Sequence, residues 1–188
     1  MLKKTLLALI LSVPIAGSAL AESYVIDTKG AHASINFSTG HLGFSILTGR
    51  FDTFTGEFEF DPENPAAGRV SIEIDTNSIN SNHAARDNHL RGEDFFDVAN
   101  FPSATFVSTA ITKMGDNTAT ITGDLTLRGV TKSVDIAATY IGGGKDPWGG
   151  FRQGFSGVAS IVPADFGMPH RIAGQTVDLT LEIEGIQK

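Results

Sequence analysis

Apolar and polar residues alternate along most of the chain that follows its first twenty residues, a period of two that is typical of β-strands with one buried face. The clearest run is 69–76, in which Val70, Ile72 and Ile74 alternate with polar or charged residues. Three further runs alternate in the same way, at 118–127, 134–140 and 177–184. Strands that are apolar on one face only favour an antiparallel sheet over a parallel one.

The pattern predicts about eight strands. They lie at 24–28 joined to 32–39, and at 45–60, 69–76, 103–113, 117–128, 131–142, 151–162 and 175–186. No helical crossover separates consecutive strands, which favours an all-β fold. We therefore predict a single antiparallel eight-stranded β-barrel, because long bent strands allow a small sheet to close on itself.

The longest predicted strand, 45–60, changes phase along its length. Phe51 occupies an odd position of the alternation, whereas Phe54 and the phenylalanines after it occupy even positions. A phase change of this kind predicts a bulge or sharp bend near Asp52-Thr53. Further along the chain, Gly129 predicts a tight hairpin turn, since glycine tolerates the positive φ that such turns require.

The one predicted helical segment lies near 82–97. Ser81 or Asn82 can cap its first turn, because side-chain oxygens accept hydrogen bonds from the free N–H groups there. The segment lacks a wide apolar stripe, so we expect it to lie across one mouth of the barrel. Phe95 and Phe96 are the expected anchors.

The same segment contains two histidines, but it does not predict a metal site. His83 and His89 are six residues apart and therefore do not share a helix face. Their neighbours Arg86 and Asp87 suit surface ion pairs, and Arg91 lies four residues after Asp87, at a spacing that allows pairing. A zinc site needs three or four convergent ligands, and the sequence displays no such set.

The amino terminus has the pattern of a secretory signal peptide. Lys3 and Lys4 are followed by an apolar stretch, Leu6–Ile15, and then by an A-x-A site that ends at Ala21. The apolar stretch is shorter than the roughly 20 residues of a membrane span, so we predict cleavage and no stable membrane anchor. The remaining 167 residues, 22–188, are predicted to form one exported domain.

Composition narrows the classes of partner. The formal net charge is −7, and loss of the two signal-peptide lysines makes it −9. An acidic surface repels phosphate backbones, which argues against nucleic acid and against electrostatic docking on anionic lipid. The chain has no cysteine, so neither disulfides nor thiol chemistry contributes.

Catalytic motifs are missing from the sequence. The segment 154–157 lacks the spacing of a G-x-S-x-G nucleophile elbow. The glycine run 142–144 is followed by Lys145 and then Asp146, where a phosphate-binding loop has Ser or Thr after its lysine. We therefore predict a protein that is not an enzyme.

The alternation does not decide whether the barrel interior is filled. An eight-stranded barrel can be packed with side chains or can hold one small ligand. Thirteen phenylalanines, many of them on inward faces beside small residues such as Gly123 and Ala138, leave room for a slender ligand, yet this is also ordinary packing. His41, at a strand break, is either a polar group at the barrel mouth or a structural histidine.

Several short motifs occur in a specific order: Tyr24-Val25-Ile26-Asp27, His41-Leu42-Gly43, Arg86–Arg91 with Asp94–Asp97, Phe101–Phe106, Gly123–Lys132 and Asp146–Gly149. The order and spacing of these motifs, which span essentially the whole mature chain, resemble those of the YceI-like family of periplasmic polyisoprenoid-binding proteins. The resemblance implies a lipocalin-like barrel in the periplasm, with an elongated cavity that holds an amphiphile with an isoprenoid or quinone-like tail.

The family supplies no catalytic residues, so the candidate ligand-binding residues are inferred from inward parity and mouth position. They are Phe37, His41, Phe51, Phe58, Ile72, Ile74, Leu90, Phe95, Phe106, Leu125, Phe155, Ile161 and Phe166. We expect no cofactor apart from a bound isoprenoid lipid or quinone, and a homodimer is possible. Two alternatives stay open: a stress-related structural protein with a filled barrel, and a less favoured lipid-modifying enzyme.

Overall fold

The computed structural model describes residues 21–169 and 176–188, so the predicted signal peptide lies, apart from Ala21, outside the described residues. The strands are β1 (Glu22–Ile26), β2 (Ser34–His41), β3 (Ser45–Phe51), β4 (Phe54–Phe60), β5 (Arg69–Asp75), β6 (Ile79–Asn80), β7 (Ser103–Lys113), β8 (Thr118–Leu127), β9 (Val130–Lys145), β10 (Phe151–Ile161) and β11 (Val177–Gln187). The helical elements are α1 (Ala84–Arg91) and three 3-10 turns at Pro65–Ala67, Thr76–Ser78 and Pro163–Phe166.

Eight of the strands close into a barrel in the order β1, β4, β5, β7, β8, β9, β10, β11, and β11 pairs back with β1. Every pairing between neighbours is antiparallel. The prediction of an all-β, antiparallel, eight-stranded barrel is therefore confirmed. No helix within the two described ranges is long and apolar enough to cross a membrane.

β1 and β2 lie end to end along one edge of β11. Tyr24 of β1 pairs with Gln187, near the end of β11, whereas Thr39 of β2 pairs with Val177 at its start. β3 and β4 are likewise one long strand that bends between Phe51 and Phe54, so that β3 pairs with β2 and β6 while β4 pairs with β1 and β5. The bend predicted from the change of phase is confirmed.

Two short features remain: the turn between β8 and β9, and the strand β6. β8 and β9 are joined by Arg128 and Gly129, whose φ values of 51° and 71° are those of a two-residue type I′ hairpin turn, as predicted at Gly129. The two-residue strand β6, which pairs with the end of β3, was not predicted. Two residues are too few to show an alternation.

The helix α1 is shorter than the predicted segment 82–97 and has a different cap. His83 occupies the N-cap, and its Nδ1 accepts a hydrogen bond from the backbone N–H of Arg86 at 3.2 Å. The prediction of Ser81 or Asn82 as the cap is wrong. Asn82 has a left-handed φ of 61°, and the Ser81 hydroxyl is bonded to Asp87 instead.

Asp87 is buried, so the predicted surface ion pair is also wrong. Only 8% of Asp87 is exposed, and its carboxylate accepts hydrogen bonds from the backbone N–H of Ser81, at 2.8 Å, and from the Ser81 hydroxyl. Arg91 donates instead to the carbonyls of Asn77 and Ile79. Burial raises the pKa of Asp87, but the hydrogen bonds from Ser81 and the positive charges of Arg91 and Arg86 together outweigh it and hold the pKa below its ordinary value.

Candidate ligand-binding site

The barrel interior contains two apolar cavities, one toward each end. The larger, of about 290 Å³, lies beside the loops between β4 and β5 and between β7 and β8, and we call it the loop-end cavity. The smaller, of about 170 Å³, is lined by Leu90 of α1 and by Phe95 and Phe96 just after it, and we call it the helix-end cavity. Within the described ranges, no residue lines both cavities.

Aromatic rings form one wall of the loop-end cavity. The ring of Phe155 packs edge-on against Phe58 and Phe60, with centroids 5.4 and 5.0 Å away, and lies 5.4 Å from the ring of Tyr140. Edge-to-face pairs at these distances are favourable arrangements for aromatic side chains. The Tyr140 hydroxyl donates a hydrogen bond to Oε1 of Gln153 at 2.9 Å, so this otherwise apolar wall includes one satisfied polar group.

Among the residues that the structure describes, four charged side chains border the loop-end cavity and none lines the helix-end cavity. The exposed side chains of Glu59, Arg69, Lys113 and Asp116 border the loop-end cavity. The described residues that line the helix-end cavity are apolar apart from one threonine, Thr39. Exposed charges remain hydrated, so the loop-end rim can contact a polar group while the interior stays apolar.

The helix-end cavity is covered by α1 and the turn that follows it. The ring of Phe51 lies 6.1 Å from Phe37 and 5.7 Å from Phe96, and the ring of His89 packs edge-on against Phe95 at 4.9 Å. The hydrogen bonds between Asp87 and Ser81 fix α1 to the chain before it, which holds Leu90 over the cavity.

A layer of buried side chains separates the two cavities. The layer includes four apolar residues that are each 6–8% exposed: Ile72, Phe106, Ile136 and Leu181. A Cβ atom on Gly123 would lie 2.3 Å from the Phe106 ring, and one on Gly157 would lie 2.9 Å from Cγ2 of Ile136. Neighbouring side chains therefore occupy the space beside these two glycines. We call the layer that contains Ile72, Phe106, Ile136 and Leu181 the middle layer.

Nine of the thirteen candidate residues line a cavity. Seven line the helix-end cavity: Phe37, Phe51, Ile74, Leu90, Phe95, Leu125 and Ile161. Two line the loop-end cavity: Phe58 and Phe155. Inward parity thus identified side chains that face the interior, and their contact with a ligand stays a prediction.

The other four candidates line neither cavity. Ile72 and Phe106 belong to the middle layer, and Phe166 is 2% exposed within the core. His41 has the same parity as Phe37, which lines the helix-end cavity, but it lies on the exposed end of β2, beyond the last described pair with β11, Thr39 with Val177. Parity cannot show where a strand passes the rim of the barrel.

Several cavity residues were not among the candidates. Phe60 and Tyr140 line the loop-end cavity, and Phe96 and Leu179 line the helix-end cavity. Phe60, Tyr140 and Leu179 occupy inward positions of alternating runs, so the sequence signal was present. Phe96 follows α1 in a turn, where no period identifies the inward side chain.

A cluster of acidic residues and a histidine on the outer wall resembles a metal site. Asp27, His32 and Glu184 each place a potential ligand atom within 4.8 Å of the other two. The Arg152 guanidinium already occupies this position, because Nη1 donates to Asp27 at 2.6 Å and to Glu184 at 2.5 Å. Arg152, together with the backbone N–H of Gly30, lowers the pKa of Asp27 to about 2. We interpret the cluster as an ion-pair network that joins strands.

Comparison with known proteins decides the family. The sequence profile of the YceI-like domain matches residues 24–185. A UPF0312 protein of Vibrio vulnificus is 51% identical over 182 residues, which cover 97% of this chain and 95% of the relative. The chain belongs to the YceI-like family. The resemblance inferred from the short motifs is therefore confirmed.

Solved structures show the same fold as this YceI-like barrel. BcnA of Burkholderia cenocepacia matches with a TM-score of 0.76 and 26% identity, over 85% of this chain and 98% of that one. A polyisoprenoid-binding domain from Saccharophagus degradans matches with a TM-score of 0.65 over 90% of this chain and 100% of that one. At 18% identity, the second match establishes a shared fold.

Proposed function

We propose that this chain is a binding or carrier protein that holds the apolar tail of an amphiphile inside its barrel, a tail of isoprenoid or quinone-like chemistry. The observation that carries the proposal is the pair of interior cavities lined almost entirely by apolar and aromatic side chains. Membership of the YceI-like family and the shared fold with a polyisoprenoid-binding domain support a binding role.

The chemistry of the cavities suits a hydrocarbon tail. Each CH₂ group removed from water contributes about 0.8 kcal/mol, without the need for directed contacts. A polar head group needs a few placed polar partners, and the charged rim of the loop-end cavity supplies them. We therefore place the head group near Arg69 and Lys113, and the tail beside Phe155.

Cavity size limits what the barrel holds without rearrangement. Small-molecule sites are typically about 300–1,000 Å³, and the two cavities of about 290 and 170 Å³ lie at or below the lower end of that range. A short tail fits the loop-end cavity as it stands. A long tail that continues into the helix-end cavity requires Phe106 and its neighbours in the middle layer to move.

Two observations argue against the two alternative functions. The cavities favour a ligand over a stress-related protein with a filled barrel, since a core packed to native density leaves few voids larger than a water molecule. The lipid-modifying enzyme depended on a mouth histidine such as His41, which lies outside both cavities on an exposed hairpin.

We also propose that the chain acts in the periplasm after cleavage behind Ala21. The support is the signal-peptide pattern of residues 1–21. Amino-terminal sequencing of the protein purified from its native host tests this, and the expected first residue is Glu22. Retention of Met1 in the purified protein would contradict it.

The binding proposal is tested with a matched pair of variants. Ala119 lines the loop-end cavity, whereas Ala137 is exposed on the neighbouring strand, opposite Thr120. Binding of added polyprenol and ubiquinone is measured for the wild type, Ala119→Phe and Ala137→Phe, and organic extracts of each are analysed by mass spectrometry. We expect Ala119→Phe to lose bound lipid and Ala137→Phe to retain it. No bound lipid and no uptake in the wild type would refute the proposal.

A further inference from the structure

The hairpin that joins β2 to β3 ends in three exposed, large apolar side chains. Leu42, Phe44 and Ile46 are 71%, 87% and 67% exposed. Beyond Thr39, which pairs with Val177, the ends of β2 and β3 pair only with each other among the described residues. We call residues 41–46 the hairpin tip.

The part of the hairpin around its tip contains no acidic residue and no lysine or arginine, in a protein that is otherwise acidic. The twenty residues 30–49 include no Asp, Glu, Lys or Arg, although the whole chain contains 21 acidic and 14 basic residues. Transfer of an ionised side chain into an apolar medium is very costly. This segment can therefore enter such a medium without desolvating a charged side chain.

The hairpin tip is continuous with the helix-end cavity. Phe37 and Thr39 of β2 line that cavity, and Leu42 lies three residues beyond Thr39. An apolar surface at the tip and an apolar cavity are thus connected along one strand.

We propose that the hairpin tip inserts into the surface of a lipid bilayer and brings the helix-end cavity to the membrane. The docking stands on the tip itself and does not depend on the proposed function. A protein partner fits less well, because three side chains supply far less than the roughly 800 Å² per partner of a standard interface.

The unpaired edge of β3 limits the depth of insertion. Over residues 45–48, β3 has no partner on its outer edge within the described part of the chain, and unpaired backbone groups cannot enter the hydrocarbon interior. The tip therefore reaches only the boundary between head groups and acyl chains, about 5–10 Å deep. Because the tip is uncharged, its binding is insensitive to salt.

Flotation with vesicles of neutral phosphatidylcholine tests the proposal, with the protein purified from its native host. Ile46 and Ile141 are equally exposed, at 67%, but Ile141 lies on the outer wall in β9, so Ile141→Ser is the matched control for Ile46→Ser. We expect the wild type to float with the vesicles. Phe44→Ser and Ile46→Ser should each lower the partition coefficient about tenfold, and Ile141→Ser should leave it within about twofold.

Absence of flotation by the wild type, or equal losses in Ile46→Ser and Ile141→Ser, would overturn the proposal. So would a wild-type dimer that becomes monomeric in Phe44→Ser without any vesicle binding, since the tip would then be a contact between two copies. Uptake of polyprenol dispersed without vesicles separates the two proposals. If the wild type takes up no dispersed polyprenol, the proposed function is refuted. The flotation result alone decides whether the hairpin tip docks on the membrane.

Discussion

The two ends of the barrel share the strands β5, β7, β8, β10 and β11 but differ in chemistry. The helix-end cavity is covered by α1, which the buried hydrogen bonds of Asp87 hold in place, and no charged residue lines it within the ranges 21–169 and 176–188. The loop-end cavity is larger, has an aromatic wall and is bordered by four exposed charged side chains. The barrel strands provide apolar walls at both ends, so the segments that cover each end determine which groups of a ligand it can accept.

The difference assigns separate parts of an amphiphile to the two ends. The loop-end cavity combines an apolar interior with a charged rim, so it can hold a tail and a head group together. The described lining of the helix-end cavity suits a hydrocarbon. The middle layer determines whether one tail can occupy both.

The largest effect on stability is expected when one side chain of the middle layer, Phe106, is truncated. Phe106→Ala deletes a ring that is 6% exposed, and replacement of a buried Phe by Ala typically lowers the free energy of unfolding by about 3–5 kcal/mol. Urea denaturation measures the loss. Phe44→Ala, at a ring that is 87% exposed, should change it by less than about 0.5 kcal/mol. Similar losses in both variants would contradict the buried position of the Phe106 ring.

The next largest effect on stability concerns Asp87, which holds the helix α1 over the helix-end cavity. Asp87→Ala leaves the backbone N–H and hydroxyl of Ser81 without their buried acceptor, which is expected to lower the free energy of unfolding by about 2 kcal/mol at neutral pH. Asp116→Ala, at the exposed rim of the loop end, serves as the control and should stay within about 0.5 kcal/mol. Equal changes in the urea midpoints of the two variants would contradict the buried role of Asp87.

A smaller effect sharpens the boundary between the cavities. Polyprenols of increasing length are titrated against the wild type and Phe106→Leu. In the wild type, we expect affinity to rise with tail length and then level off once the loop-end cavity is filled. In Phe106→Leu, the longer tails should gain about tenfold, equivalent to about 1.4 kcal/mol. An identical dependence on length in both proteins would show that the middle layer does not limit the tail.

A further effect, away from both cavities, is a pH dependence from the outer wall. The pKa of Asp27 is lowered from 3.8 to about 2, so its ionised form binds Arg152 more favourably in the folded state than in the unfolded state. This contribution to stability is complete above pH 3.8 and is lost as the pH falls toward about 2. Urea unfolding between pH 5 and pH 2 should show a shallower decline for Asp27→Asn than for the wild type. Parallel curves would contradict the assignment.

Much of the fold could be predicted from the sequence because alternation is a local signal. The runs at 69–76 and 118–127 gave strands with nearly the observed bounds, and the phase change between Phe51 and Phe54 located the bend. The helix cap was missed because the choice among Ser81, Asn82 and His83 depends on backbone angles and on Asp87, which lies several residues further along the chain.

The site was less predictable because parity gives direction without depth. Phe106 and Phe155 both point inward, yet one fills the middle layer and the other lines a cavity. The outcome depends on strand register, which places Gly123 beside the Phe106 ring. His41 was misplaced for a related reason, since the alternation continues past the rim of the barrel.

The most direct test of tail binding inside the barrel is a crystal structure of the protein grown with a saturating polyprenol. We expect electron density for the tail in the loop-end cavity, in contact with Phe155 and Tyr140, with the head group at the rim near Arg69. Density confined to the outer surface of the barrel, with both cavities unchanged, would contradict the proposal.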